Sequence, residues 1–228
     1  MKRRSSGSWP SGDGVSCSFD LAHYSEILAA AKAGGYDFAH FDDTPSEGTV
    51  LLRHDVDLSF DAAVQMAEIE HDASASATYF LMTESVFYNL DSSEGAAAID
   101  RLRELGHRVA LHAVYPNAPL DDRFDPVVAW HNPDPDYMRA PLTDGRINVM
   151  QEPWFDPATY RSDSNQHWRS GCPHDELRAS AFPWLQLLTH PEIWAYPGET
   201  MGQTMRAMLE AEKDRRLQQL VDDRIDLG

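Results

Sequence analysis

The sequence predicts an α/β fold in which βα units build a parallel sheet or barrel. Three observations carry this. Between Val50 and Val114 the chain reads strand, helix, strand, helix, strand, the order that makes neighbouring strands parallel. The first two strands are near-continuous apolar runs, as expected of strands covered on both faces. Four strands end in a residue able to bind metal or move a proton: Asp57, His112, His131 and His190, with Asp163 ending a fifth. In a barrel of parallel strands such ends meet on one rim, where ligands bind.

Each element has a local reason. Residues 1–14 are basic and then Ser/Gly-rich, without the apolar stretch of a secretory signal. Residues 1–18 are therefore expected to form a disordered arm. Asp20 caps a helix with apolar residues at helical spacing, and Gly34-Gly35 stops it. Tyr36–Phe41 reads as a short strand or extended segment. Val50–Asp57 is a buried strand ending in two carboxylates, and Ser59 caps a helix running to about His71. Ser76–Met82 is a second buried strand. Glu94–Leu105 is a helix closed by Gly106, and His107–Val114 is an alternating strand. Further strands are expected at Val127–Trp130, Ile147–Met150, Thr159–Asp163 and Trp184–Thr189. Residues 19–200 are read as one barrel domain, and residues 201–228 as a surface helix.

The chain has 228 residues, 42% of them hydrophobic, which suits a sizeable core. Its formal charge of −18 disfavours nucleic acid and anionic membranes as partners. No run reaches membrane-spanning length. Lysine is confined to Lys2, Lys32 and Lys213, an acidic, lysine-poor balance that suggests a halophilic source. The expected result is a higher melting temperature in molar KCl than in dilute buffer; equal values would count against it. Cys17 and Cys172 lack CxxC spacing and are expected as reduced thiols in a cytoplasmic protein.

Asp55 and Asp57 lie two apart, so an extended chain points them the same way. Two such carboxylates repel unless a cation or proton holds them. Asp57, His112 and His131 offer one carboxylate and two imidazoles, a set that binds zinc and leaves a position for water. Asp55 then suits a proton acceptor and His190 a proton donor. His54 is a candidate for supporting the site from behind. His23, His40, His71, His107, His167 and His174 read as ordinary polar residues.

These residues resemble a known family. Leu52-Arg53-His54-Asp55-Val56-Asp57, then Ala77-Thr78-Tyr79-Phe80, then Gly106-His107-x-x-Ala110-Leu111-His112, are similar to motifs of polysaccharide deacetylases of the NodB-homology type (carbohydrate esterase family 4), in their RHDVD branch. Trp130-His131-Asn132-Pro133, Tyr160-Arg161-Ser162-Asp163-Ser164 and Leu188-Thr189-His190-Pro191 match that branch too. The resemblance implies a distorted (β/α) barrel of about seven strands and a divalent metal, usually zinc, held by Asp-His-His. It also implies removal of acetyl groups from an amino sugar or glycan through metal-bound water. By position, Asp55 resembles the base, Asp57 and His112 metal ligands, His190 the acid, and Asp163 the aspartate that tunes it. Arg53, His54 and Tyr160 fall beside them as supporting residues. The family's second histidine, four residues after the first, is here Pro116, and His131 is assigned to that place. Asp-x-Asp replaces an adjacent pair, so an exchange of roles between Asp55 and Asp57 stays open. Two alternatives stand beside this reading: a non-catalytic glycan-binding relative, and a metal-dependent hydrolase of another C–N or ester bond.

Overall fold

The computed structural model describes residues 17–42, 44–116, 118 and 121–226. The arm expected over 1–18 lies outside the described residues, apart from Cys17 and Ser18. At the centre is β2 (Thr49–Val56), buried along its whole length. It pairs with β3 (Ala77–Leu81) on one side and β8 (Trp184–Thr189) on the other, both in parallel. Outward from β3 come β4 (Arg108–Ala113), β5 (Asp125–Trp130) and β6 (Ile147–Asn148); outward from β8 comes β7 (Tyr160–Ser162). Every pairing is parallel. The short β1 (Asp37–Phe38) joins the start of β2, and it is all that becomes regular strand in the Tyr36–Phe41 stretch.

The expected barrel is present as a curled half-barrel. Among the described residues no ladder joins β6 to β7. Gln186 spans part of the opening instead: its Nε2 donates to Val149 O (2.9 Å) and Trp154 O (2.7 Å). Alternation decides the two faces of the sheet. Leu51, Phe80, Ala110, Val127 and Ala129 pack together inside the curl. Leu52, Tyr79, Leu81, Leu185 and Leu187 pack outward, with apolar residues of the surrounding helices.

The outer layer contains α1 (Leu21–Ala33), α2 (Phe60–Asp72) and α3 (Ser93–Glu104). Asp20 Oδ1 accepts from His23 N (2.8 Å) and Ser59 Oγ from Ala62 N (3.2 Å), so both expected caps form. Short helices α4 (Pro135–Met138), α5 (His174–Arg178) and α6 (Pro191–Ala195) were not foreseen. Each has only one turn or so, too few residues to show a helical period. The last helix, α7 (Met201–Asp222), buries only Thr204 and Met208. No described helix is long and apolar enough to cross a membrane.

One polar cluster lies between sheet and helices. Glu70 of α2 is fully buried. Its Oε1 accepts from Tyr24 OH and lies 2.6 Å from His54 Nε2. Its Oε2 accepts from Tyr79 OH (2.7 Å). Beside it, Ala77 N donates to His107 Nδ1 (3.2 Å), so the ring's Nε2 carries the proton given to Ala67 O (3.0 Å). Burial would raise the Glu70 carboxyl, but His54, His107 and the tyrosine hydroxyl outweigh it and hold it below the ordinary glutamate range.

Candidate metal centre

The site forms where the strands end. On β2 the inward-facing positions are Leu51, Arg53 and Asp55, and Asp57 follows just past the strand. His112 is the inward residue near the end of β4. His131 follows β5, where its N–H still donates to Ala113 O (2.9 Å) and extends the ladder. Asn132, at φ +46°, then turns the chain away.

Three donor atoms converge there. Asp57 Oδ1 lies 3.1 Å from His112 Nε2 and 3.2 Å from His131 Nδ1, and the two ring nitrogens are 3.2 Å apart. Asp57 Oδ1 is buried, and despite these distances it makes no hydrogen bond among the described residues. Bonds of about 2.0–2.2 Å at tetrahedral angles put zinc ligands about 3.3–3.5 Å apart, so the triangle fits a zinc ion closely. The side-chain amide of Asn132 lies 3.1 Å from His131 Nε2. The atom placed there is the amide nitrogen Nδ2, a donor to Nε2; only with the amide turned over would its oxygen accept an Nε2 proton and leave the Nδ1 lone pair facing Asp57. Burial pushes the Asp57 carboxyl up, but the His112 and His131 rings prevail and hold it far below its usual range. The Asp57 carboxylate beside it likewise raises the His131 imidazole, against burial.

Asp55 flanks this triangle, with Oδ2 3.7 Å from His112 Nε2. Arg53 grips it with both arms: Nε to Oδ1 at 2.8 Å and Nη2 to Oδ2 at 2.7 Å. Such a bidentate clamp fixes the plane of the carboxylate and leaves one lone pair on each oxygen. Burial opposes ionisation of Asp55, and Arg53 followed by His112 reverses that, so the group is charged.

His190 caps α6 and faces the same space. Its Nδ1 is 2.6 Å from Asp163 Oδ1, while Asp163 Oδ2 accepts from His190 N (3.0 Å) and Trp194 Nε1 (2.8 Å). Asp163 is fully buried and held from several directions. Burial alone would lower the His190 imidazole; Asp163, Asp55 and Glu192 overcome it and push it up to about 10. The ring is therefore an imidazolium at neutral pH, able to give a proton.

Two cavities meet over these groups. One of about 500 Å³ is lined by Arg53, Asp55, Trp130, Tyr160 and Arg161 among others. The second, about 450 Å³, is lined more apolarly by Met82, Val86, Phe87, Ile193 and Met201. Asp57, His131, Asn132, Ser164 and His190 border both, so the triangle of donor atoms sits at their junction.

The structure thus brings together Asp55, Asp57, His112, His131, His190 and Asp163, with Arg53 and Tyr160 beside them. His54 does not join. It lies on the opposite face of β2, buried between Glu70 and Thr189, whose Oγ1 is 2.7 Å from its Nδ1. The expectation that it supports the site is corrected by strand parity: it has Arg53 and Asp55, both inward, on either side of it. One lining residue was missed. Glu192 is 1% exposed, its Oε2 has no hydrogen-bond partner among the described residues, and burial raises its carboxyl to about 8. The signal available was its place two residues after His190, at a strand end.

No family model matches the chain, and no curated protein matches it. Among solved structures, it is similar to a peptidoglycan deacetylase of Bdellovibrio bacteriovorus, at 15% identity and a TM-score of 0.37, over 81% of this chain and 54% of that one. The chain therefore spans about half the length of that protein.

Proposed function

We propose that the protein is a metal-dependent hydrolase that removes acetyl groups from an amino sugar or glycan. The observation that carries this is the triangle of Asp57, His112 and His131 donor atoms, set between an anchored carboxylate and a charged imidazole. The likeness of the Arg53–Asp57 stretch and its companion motifs to NodB-type deacetylases supports the acetyl group as the target. A cleft that runs past the triangle on both sides, with Trp130 and Tyr160 in one part, suits a sugar chain resting on aromatic faces.

Asp57, His112 and His131 would hold the ion, zinc being the best match to their donors and spacing. When bound, zinc supplies Lewis acidity, lowering the pKa of water and polarising a carbonyl oxygen. The remaining work belongs to side chains of this chain. Asp55, kept ionised and oriented by Arg53, accepts the proton of the attacking water. His190 gives its proton to the departing amine. Asp163 keeps that imidazole charged and aimed, as an orienting carboxylate does in other acid–base pairs. The engagement of Asp55 by Arg53, while Asp57 faces both histidines, favours Asp55 as base and Asp57 as ligand over the exchanged roles. Against a vestigial glycan binder stands the second imidazole, His131, whose Nδ1 lies 3.2 Å from both Asp57 Oδ1 and His112 Nε2.

The test is Asp55→Asn. Loss of a general base costs roughly 10²–10⁴-fold in rate, so turnover of an N-acetylated sugar should fall by about that factor while zinc content stays at the wild-type value. Wild-type turnover in Asp55→Asn, or an inactive wild-type enzyme on every acetylated sugar tried, would defeat the proposal.

The state of His190 gives a pH prediction. Activity that needs its proton persists below about 10 and is lost as pH rises through that value. Asp163→Asn removes the largest upward influence, so the alkaline limb of kcat/KM should move down by more than about one unit. An unmoved limb in Asp163→Asn would mean that His190 is not the acid.

A further inference from the structure

A second cluster of metal-ligating side chains lies away from the cleft. Cys17, His23 and Cys172 place their donor atoms all within 4.8 Å of one another. We propose that these three residues form a zinc site of their own, fastening Cys17 to α1 and to the loop ahead of α5. It is independent of the Asp57 centre and goes beyond the hydrolase reading.

Several features make this more than proximity. Both cysteines are free and half-buried, and His23 is nearly buried. His23 sits in the first turn of α1, its backbone fixed by the Asp20 cap. Its Nδ1 is 2.9 Å from Glu26 Oε2, and its Nε2 is 3.3 Å from Cys172 Sγ. A carboxylate on one ring nitrogen holds the proton there and turns the other nitrogen's lone pair to the metal, the usual arrangement behind zinc-bound histidine. Trp168 Nε1 donates to Cys17 Sγ at 3.1 Å, a contact that favours an electron-rich sulfur. With Zn–S near 2.3 Å and Zn–N near 2.0–2.1 Å, tetrahedral ligands lie about 3.5–3.8 Å apart, so this cluster needs only small adjustments.

The fourth position falls to water or to His174. The His174 ring centroid is 5.9 Å from that of His23, and its Nδ1 is engaged by Asp175 (2.8 Å), which leaves Nε2 available. Two thiolates make this a softer site than the oxygen- and nitrogen-lined Asp57 centre, and thiolates are ligands zinc takes readily. The placement has a consequence. The ring of Trp194, which donates to Asp163, lies 6.5 Å from that of His23 and 6.1 Å from that of Trp168. Zinc here would brace the wall behind His190.

Cobalt distinguishes the two centres, because only thiolate ligands give an intense sulfur-to-cobalt charge-transfer absorption in the near ultraviolet. The full-length protein, purified under reducing conditions and loaded with Co²⁺, should show that band. It should persist in the His112→Ala, His131→Ala double variant and vanish in Cys172→Ser. Cys17→Ser, a change at the edge of the fold, should also abolish it and serves if Cys172→Ser does not fold. Zinc-loaded wild type should carry one more equivalent of metal than either serine variant. The proposal is overturned by the absence of the band in wild type, by its survival in both serine variants, or by a Cys17–Cys172 disulfide in the metal-free protein as isolated.

Discussion

His112→Ala is expected to lose zinc from the Asp57 centre and turnover together. His112 supplies the most buried of the three donors there, at 2% exposure. Removing it leaves Asp57 and His131, a pair that cannot complete a three-ligand catalytic cage. Partners standing behind metal ligands are worth roughly 10–100-fold in metal affinity; a ligand itself should exceed that, so zinc at stoichiometric concentration is no longer retained. Turnover then falls to background, a larger loss than in Asp55→Asn, where the ion stays. Metal analysis after dialysis, together with an acetyl-release assay, checks both halves. His112→Ala with wild-type zinc at this centre would remove the basis of the proposed site, whatever the assay showed. The same pair of measurements on His131→Ala asks whether that histidine fills the place vacant at Pro116.

Glu70→Ala is expected to give the largest loss of stability of any single change away from the cleft. The carboxylate is fully buried and gathers Tyr24, Tyr79 and His54. Truncating it takes the acceptor from both tyrosine hydroxyls and from His54 Nε2 in a region that admits no bulk water. Breaking a buried ionic network from one side costs about 3–5 kcal/mol, and for a domain of this size that is a fall in Tm of roughly 10 °C. Glu70→Gln keeps an acceptor and should lose less. Thermal unfolding followed by circular dichroism reads the difference, and a Glu70→Ala Tm within about 2 °C of wild type, well under the shift expected, would contradict it. The pH dependence has a definite sign. The Glu70 carboxyl is lowered in the folded protein, so its contribution is present above the ordinary value of 4.5 and is lost as pH falls from there through the folded value. The His107 imidazole, lowered chiefly by burial, works in the same direction, because the folded state resists taking up its proton.

Parity and periodicity explain which parts of this molecule can be read in its sequence. The Asp-x-Asp spacing put Asp55 and Asp57 on one side of β2, and the fall of His112, His131 and His190 at other strand ends put them on one rim. Those inferences need only period two and parallel strands. The same rule, applied strictly, turns His54 outward, where it is found. Glu70 was also legible: it falls seven, four and three residues after Ala63, Met66 and Ala67, on the buried stripe of α2, where a carboxylate needs partners. Its tyrosines were not, because Tyr24 comes from a helix 46 residues away. Cys17 and Cys172 show no motif, since the contact that unites them with His23 spans 149 residues of sequence. The open side between β6 and β7 also escaped the sequence, because strands of two and three residues carry too little pattern to reveal whether a curl closes.

Asp57, His112 and His131 are proposed to share one ion. Anomalous diffraction at the zinc edge, from crystals of the zinc-loaded protein, tests it most directly. An ion shared by the three side chains gives a peak in the cleft about 2.0–2.2 Å from Asp57 Oδ1, His112 Nε2 and His131 Nδ1. A zinc-loaded crystal with no peak at that position, or with one that leaves His131 out of the coordination, would contradict it.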